Sequence, residues 1–290
     1  MENTNLDAVI AMFKNDPYLS RVIEKNRIDD ATIKKYFLIF NESFNSFTKC
    51  KNCPGLDKCT QDNKGEVITI SYDGQPLKVI RYCKHRVAYD NLITLQNKYV
   101  YTDIPKPLYS INLDNLNPLD QYQELLFKIY DDIARGIRKK GVFLIGDYGV
   151  GKSYFSCALA NTLVNQGNRV AFIKTNSFCT DMSTLLVNNN EAYEKRVNDI
   201  KNCDFVIFDD IGTENVTEFS RDRLLYNILD HRMENRLCTI FTSNFDIETL
   251  QKHFTLKGYV DTNAERICNR ISSLTDEYVL EGESKRNLYD

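Results

Sequence analysis

Three short runs in this chain carry residue types that act together on a phosphate. Gly146, Asp147, Tyr148, Gly149, Val150, Gly151, Lys152 and Ser153 spell GxxxxGKS directly after the apolar stretch 142–145, with a helical pattern from Tyr154 onward. Glycines let successive backbone N–H groups turn inward around a phosphate, and a helix start adds its positive end. In that setting Lys152 reaches the β and γ phosphates of a nucleotide, the Ser153 hydroxyl ligates Mg²⁺, and the expected nucleotide-binding run extends from Gly146 through Tyr154. The second run, 205–208, is an apolar strand that ends in Asp209 and Asp210. Asp209 is placed to hold Mg²⁺ through its water shell, and Asp210 to orient or deprotonate an attacking water. The third run, 239–244, is a strand ending in Thr242, Ser243 and Asn244. Asn244 there can hydrogen-bond a γ phosphate or its water. The expected cofactors are ATP or ADP with Mg²⁺.

A second chemistry sits in the first third of the chain. Cys50, Cys53, Cys59 and Cys83 are followed at once by His85, giving five candidate ligands for a four-coordinate Zn²⁺. Cys50 and Cys53 form a CxxC that can chelate from one tight loop, and Cys83 closes the site. The fourth place falls to Cys59, with His85 as the alternative. The remaining five cysteines, Cys157, Cys179, Cys203, Cys238 and Cys268, are scattered through apolar or helical surroundings, as small buried hydrophobes are.

These groups need elements to position them. The 290 residues leave room for one large domain and a smaller module. Residues 1–47 show helical spacing, with a break at Asp16-Pro17 between stripes built on Val9, Ile10 and Phe13 and on Ile33, Phe37 and Phe40. Residues 48–90 form the expected zinc module, in which two alternating runs flank Asp73-Gly74 as a β-hairpin with a loop of three or more residues. Residues 91–118 read as a linker. From 119 to 290 short apolar runs at 142–145, 170–173, 205–208 and 237–241, with a weaker one at 278–280, alternate with helical spacing. That pattern predicts an α/β fold with a parallel sheet covered on both faces.

Composition narrows the function further. A net charge of −3 argues against a protein that coats nucleic acid by bulk electrostatics. No run approaches the ~18 apolar residues of a membrane span, and the first thirty residues carry acids where a signal peptide is apolar. The expected location is the cytoplasm, and no membrane partner is expected.

Taken together, GDYGVGKS, the Asp209-Asp210-Ile211-Gly212-Thr213-Glu214 run, Thr242-Ser243-Asn244 and the 265–271 segment with Arg266 and Arg270 resemble the bacterial helicase-loader branch of the AAA+ ATPases over residues 110–290. The cysteines ahead of the ATPase extend the likeness to the zinc-bearing loaders of Gram-positive bacteria. This resemblance implies an AAA+ P-loop fold and ATP hydrolysis at a site between neighbouring subunits. Arg270 would reach the neighbour's site as an arginine finger, and Arg286 would contact nucleotide within its own subunit. The implied partners are a DnaB-type replicative helicase, bound by the N-terminal region, and single-stranded DNA, engaged by the ATPase region during primosome assembly and DNA replication. Only about twenty residues follow Arg270, too few for the helical lid of larger AAA+ proteins, and loaders of this branch also lack a full lid. Two rivals remain: a transposition helper ATPase, which shares DDIGxE but speaks less well for the cysteines, and a nucleotide-sensing adaptor with little turnover.

Overall fold

The computed structural model describes residues 3–256 and 262–284. The chain divides into two compact units, Met1–Ile93 and Thr94–Asp290.

The first unit opens with four helices, α1 (Asn3–Asn15), α2 (Leu19–Asn26), α3 (Asp30–Lys35) and α4 (Phe37–Cys50). The break at Asp16 has a local cause, because its carboxylate accepts the N–H groups of Tyr18 and Leu19 at 3.0 and 2.9 Å and caps the next helix. Strands β1 (Glu66–Tyr72) and β2 (Pro76–Tyr82) pair antiparallel, Tyr72 opposite Pro76, around a three-residue loop. Gly74 holds φ +70° in that loop, a conformation suited to glycine. Phe13, Leu19, Ile33, Phe40 and Ile70 are buried together and join the helices to β1. The Ile70 N–H donates to the Tyr18 hydroxyl at 2.9 Å, and the Tyr18 ring stacks on Phe47. Helix α5 (Lys84–Gln96) buries no residue and crosses the boundary between the units.

The second unit is a six-stranded parallel sheet in the order β3-β5-β6-β7-β4-β8. Its elements in chain order are β3 (Tyr101–Thr102), two 3₁₀ turns (Lys106–Ser110 and Leu113–Asn115), α6 (Gln121–Ala134), β4 (Gly141–Ile145), α7 (Lys152–Asn165), β5 (Val170–Lys174), α8 (Thr175–Asn188) and α9 (Asn190–Lys201). Then follow β6 (Phe205–Asp209), a π-helical turn (Phe219–Leu225), α10 (Tyr226–Glu234), β7 (Thr239–Ser243), α11 (Ile247–Phe254), α12 (Thr262–Leu274) and β8 (Thr275–Val279). Strands β4, β5, β6 and β7 are buried along nearly their whole length, as strands of a sheet covered on both faces are. Phe208 and Phe241 stack at 5.4 Å inside this core. At the start of β4, a Cβ on Gly141 would lie 1.8 Å from the Thr239 carbonyl oxygen, so only glycine lets the two strands approach.

Two expectations need correction. The stretch expected as a linker, 91–118, packs into the second unit: β3 pairs with β5, and Tyr99, Ile104, Tyr109, Leu113 and Leu116 are buried. Two of its three prolines, Pro105 and Pro107, start a 3₁₀ turn rather than marking free chain. Strand β7 begins two residues later than its apolar run, and the Cys238 carbonyl just before it accepts both the Val206 N–H of β6 at 3.3 Å and the fully buried Arg232 at 2.7 Å.

Candidate nucleotide site

The phosphate run sits where the sheet needs it, at the C-terminal end of β4, between β7 and β8. Gly149 and Gly151 hold φ +85° and +109°, and the chain turns there into α7. Gly146 has a packing reason as well, since a Cβ would meet the Leu280 carbonyl oxygen at 2.5 Å. Lys152, nearly buried, donates from Nζ to the carbonyls of Gly146 and Asp147 at 2.7 and 2.9 Å and to Asn244 Oδ1 at 2.7 Å. A 160 Å³ cleft is lined by Tyr148, Gly149, Gly151, Lys152, Ser153, Tyr154, Asp210 and Asn244. The structure therefore gathers the three runs, although they stand nearly a hundred residues apart in sequence.

The acid strand meets this cleft from the other side of β7. Asp209 is 1% exposed, and Thr242 donates to its Oδ1 at 2.7 Å. Burial, and then the neighbouring Asp210 charge, push the Asp209 carboxyl up to about 6, against hydrogen bonds from Thr242 and Ser153 that favour the ionised form. A buried carboxylate near the Ser153 hydroxyl is short of positive charge, and this donor pair fits Mg²⁺. Asp210 adopts φ +55°, held by its N–H to the Thr242 hydroxyl at 2.9 Å, and it lines the cleft. The contacts of Thr242 with the acid pair escape sequence reading, as does Thr175, whose hydroxyl donates to the Asp209 carbonyl at 3.0 Å. A threonine beside Ser-Asn at a strand end is the only signal there.

Comparison with known proteins gives the arrangement a family. A profile described as IstB-like ATP binding protein matches residues 133–287, more than half of the chain. The chain belongs to the IstB-like ATP binding protein family. The replicative helicase loader DnaI of Bacillus subtilis is 25% identical over 271 residues, covering 90% of this chain and 86% of that relative. The replicative helicase loader DnaC of Escherichia coli K12 is 28% identical over 108 residues, 37% of this chain and 43% of that relative. Among solved structures, the crystal structure of DnaI superposes with a TM-score of 0.56 at 26% identity, covering 66% of this chain and 99% of that one.

Elsewhere in this IstB-like chain, the expected site residues divide. Arg270 on α12 donates from Nε to Asp230 at 2.8 Å and from Nη2 to the Tyr226 hydroxyl at 2.6 Å, with its guanidinium 4.5 Å from the Tyr226 ring centre. It is thus held by α10 of its own chain. Arg266 is exposed one turn earlier and gives its carbonyl to Arg270. Arg286 lies outside the described residues.

The zinc expectation is not met by the geometry. Among the described residues no three His, Cys, Asp or Glu side chains stand close enough to hold a metal ion. Cys50 is the last residue of α4 and accepts from Gln61 Nε2 at 3.1 Å, Cys53 is exposed in the following loop, and Cys59 accepts the Gly65 N–H at 3.4 Å. His85 lies in the first turn of α5, and among the described residues it completes no group of three ligands. The N–H groups of Gly65 and Gln61 hold the Cys59 thiol below its ordinary value. No helix among the described residues is long and apolar enough to cross a membrane.

Proposed function

We propose that this chain is an ATP-dependent helicase loader that binds a DnaB-type replicative helicase and delivers it onto single-stranded DNA at the start of replication. The match to the replicative helicase loader DnaI carries the reading: its 271 aligned residues exceed the whole second unit and so extend well into the first. A bare ATPase likeness would stop at the second unit. In this reading Lys152 and the 146–153 backbone bind the nucleotide phosphates, and Ser153 and Asp209 hold Mg²⁺, which supplies positive charge to the phosphate oxygens. Asp210 orients the attacking water, and Asn244 reads the terminal phosphate. Arg270 completes the site of a neighbouring copy, which makes self-association part of the function.

The reading includes a zinc ion on Cys50, Cys53, Cys83 and either Cys59 or His85. What supports it is residue chemistry alone: four thiols and one imidazole fall between Cys50 and His85, with a CxxC at Cys50 and Cys53, the residue types that hold zinc. A relative from Pseudomonas fluorescens, named for an insertion sequence and for ATP binding and 27% identical over 112 residues, supports a second reading, a transposition helper ATPase. The deciding experiment mixes the full chain with the replicative helicase of its own source and measures the mass of any complex with and without ATP, then its transfer to single-stranded DNA. A stable complex is expected. Failure to bind helicase, with binding to a transposase instead, decides for the second reading.

A further inference from the structure

Glu214 ends the DDIGTE run, yet none of the steps given to Asp209, Asp210 or Asn244 uses it. Its side chain is fully buried, and Oε2 accepts the Gly212 N–H at 2.9 Å. The other oxygen, Oε1, has no hydrogen-bond partner and faces His253 Nε2 at 3.8 Å, an atom that is also buried and also without one. Buried polar atoms left this way are costly, so their juxtaposition calls for a reason. The His253 ring lies 6.0 Å from Phe245 and 5.7 Å from Phe254, which fixes its orientation.

His253 belongs to α11, and α11 starts at its cap Asp246, two residues beyond Asn244. Glu214 belongs to the turn that carries Asp210. The pair therefore joins the two segments that bring Asp210 and Asn244 to the phosphate cleft. Two further contacts run the same way. Gly212, at φ +97°, packs so closely on Phe245 that a Cβ would meet the ring at 2.8 Å. Arg221, on the π-helical turn after the acid run, donates from Nη1 to the Phe254 carbonyl at 2.8 Å.

We infer that Glu214 and His253 are a positioning pair that locks the Asp210 turn against the helix following Asn244, holding both side chains in one geometry around the terminal phosphate. The inference rests on the hydrolytic reading above. Water-orienting groups need this support, because a displacement of ~1 Å can cost about a hundredfold in rate.

The test uses the full chain and measures ATP turnover, ATP affinity and melting together. Glu214→Ala and His253→Ala should each lower kcat about tenfold at saturating ATP and Mg²⁺, with ATP affinity within about twofold of wild type. The double variant should be no slower than the worse single one, because the two act as one unit. Glu214→Gln keeps an acceptor for Gly212 and offers an N–H to His253, so it should recover most of the rate. Unchanged kcat in the folded alanine variants overturns the pair, as does a loss that only follows melting or ATP affinity, or additive losses in the double variant. Should Glu214→Ala not fold, His253→Ala decides alone. A wild-type chain that binds ATP without turning it over overturns the hydrolytic reading and the pair with it, an outcome distinct from active wild type with unaffected variants.

Discussion

The Thr242 hydroxyl donates to Asp209 Oδ1 at 2.7 Å while it accepts the Asp210 N–H at 2.9 Å. One side chain on β7 thus fixes the Asp209 carboxylate at the end of β6 and the backbone of the Asp210 turn that follows it. Thr242→Val keeps the shape and removes both bonds. It leaves a backbone N–H unpaired, which costs about 1–3 kcal/mol of stability. The lost bond had favoured ionised Asp209, so its pKa should rise further, and the acidic limb of the ATPase pH profile should move to higher pH. Thr242→Ser should restore the wild-type profile. Turnover measured from about pH 5 to 8 on the three proteins checks this.

Asp209 itself should cost the nucleotide-free chain stability. Its folded value, about 6, lies above the ordinary 3.8, so the folded chain holds a proton the unfolded chain has lost across that interval. By linkage, stability then falls as pH rises through this window, and the full cost applies above it. Asp209→Asn removes the charge and should raise stability by about 1–3 kcal/mol at neutral pH, while Mg²⁺-dependent hydrolysis is lost. Thermal melts without nucleotide across the window, compared with turnover at neutral pH, measure both halves. A variant that melts lower than wild type at neutral pH contradicts the argument.

How much of this was legible beforehand follows from the range of each interaction. Phosphate loop, acid strand and Asn244 are local signals, because glycine conformation and strand apolarity are written in consecutive residues, and the structure gathers them in one cleft. Strand order was not legible, since β7 enters between β4 and β6 only through packing. Thr242, Thr175 and His253 act through contacts 30 or more residues away, which no spacing rule reports. The 91–118 stretch failed for a related reason: a two-residue strand and two 3₁₀ turns are too short to show a period.

Arg270 gives a prediction about assembly. Asp230 and Tyr226 hold its guanidinium within its own chain, with the side chain 20% exposed, so a role in a neighbour's site has to be tested by mixing. A finger acting in trans stabilises transition-state charge by orders of magnitude in rate, and only where subunits meet. Arg270→Ala and Lys152→Ala chains should each be inactive alone, Lys152→Ala through lost nucleotide binding. Mixed, they should regain part of the activity, because each supplies what the other lacks. Absence of recovery across mixing ratios, with mixed assemblies confirmed by mass, assigns Arg270 to its own chain's packing.

The cysteines make a metal prediction. Protein purified without chelator should carry about one zinc per chain, as a single four-ligand site requires. Chelation should then destabilise the 48–90 stretch, while the melting of the second unit is unchanged. Metal-free protein with an intact hairpin, shown by hydrogen exchange, contradicts the zinc reading and leaves the N–H-bonded thiols as they stand.

The last prediction concerns where the chain can be cut. A division at 105, natural from the prolines, removes β3 from the sheet together with the buried Tyr99 and Ile104. It deletes the Tyr99 hydroxyl bond to Asn161 Oδ1, buried at 2.7 Å, and the edge contact of Tyr101 on Phe178 at 5.3 Å. Asn161 would also be left with a buried carbonyl oxygen short of a donor. Losing large buried side chains typically costs 3–5 kcal/mol each, so residues 106–290 should melt far below the intact chain or fail to fold. A division at 93 cuts α5 three residues before its end, and α5 buries nothing, so little is lost. Residues 94–290 should melt cooperatively and bind ATP and, in a salt-dependent way, single-stranded DNA, while residues 1–93 should bind the helicase without nucleotide. Comparing the melts of 94–290 and 106–290 tests the packing argument. If 106–290 is as stable as 94–290, β3 is dispensable and the edge of the sheet is β5.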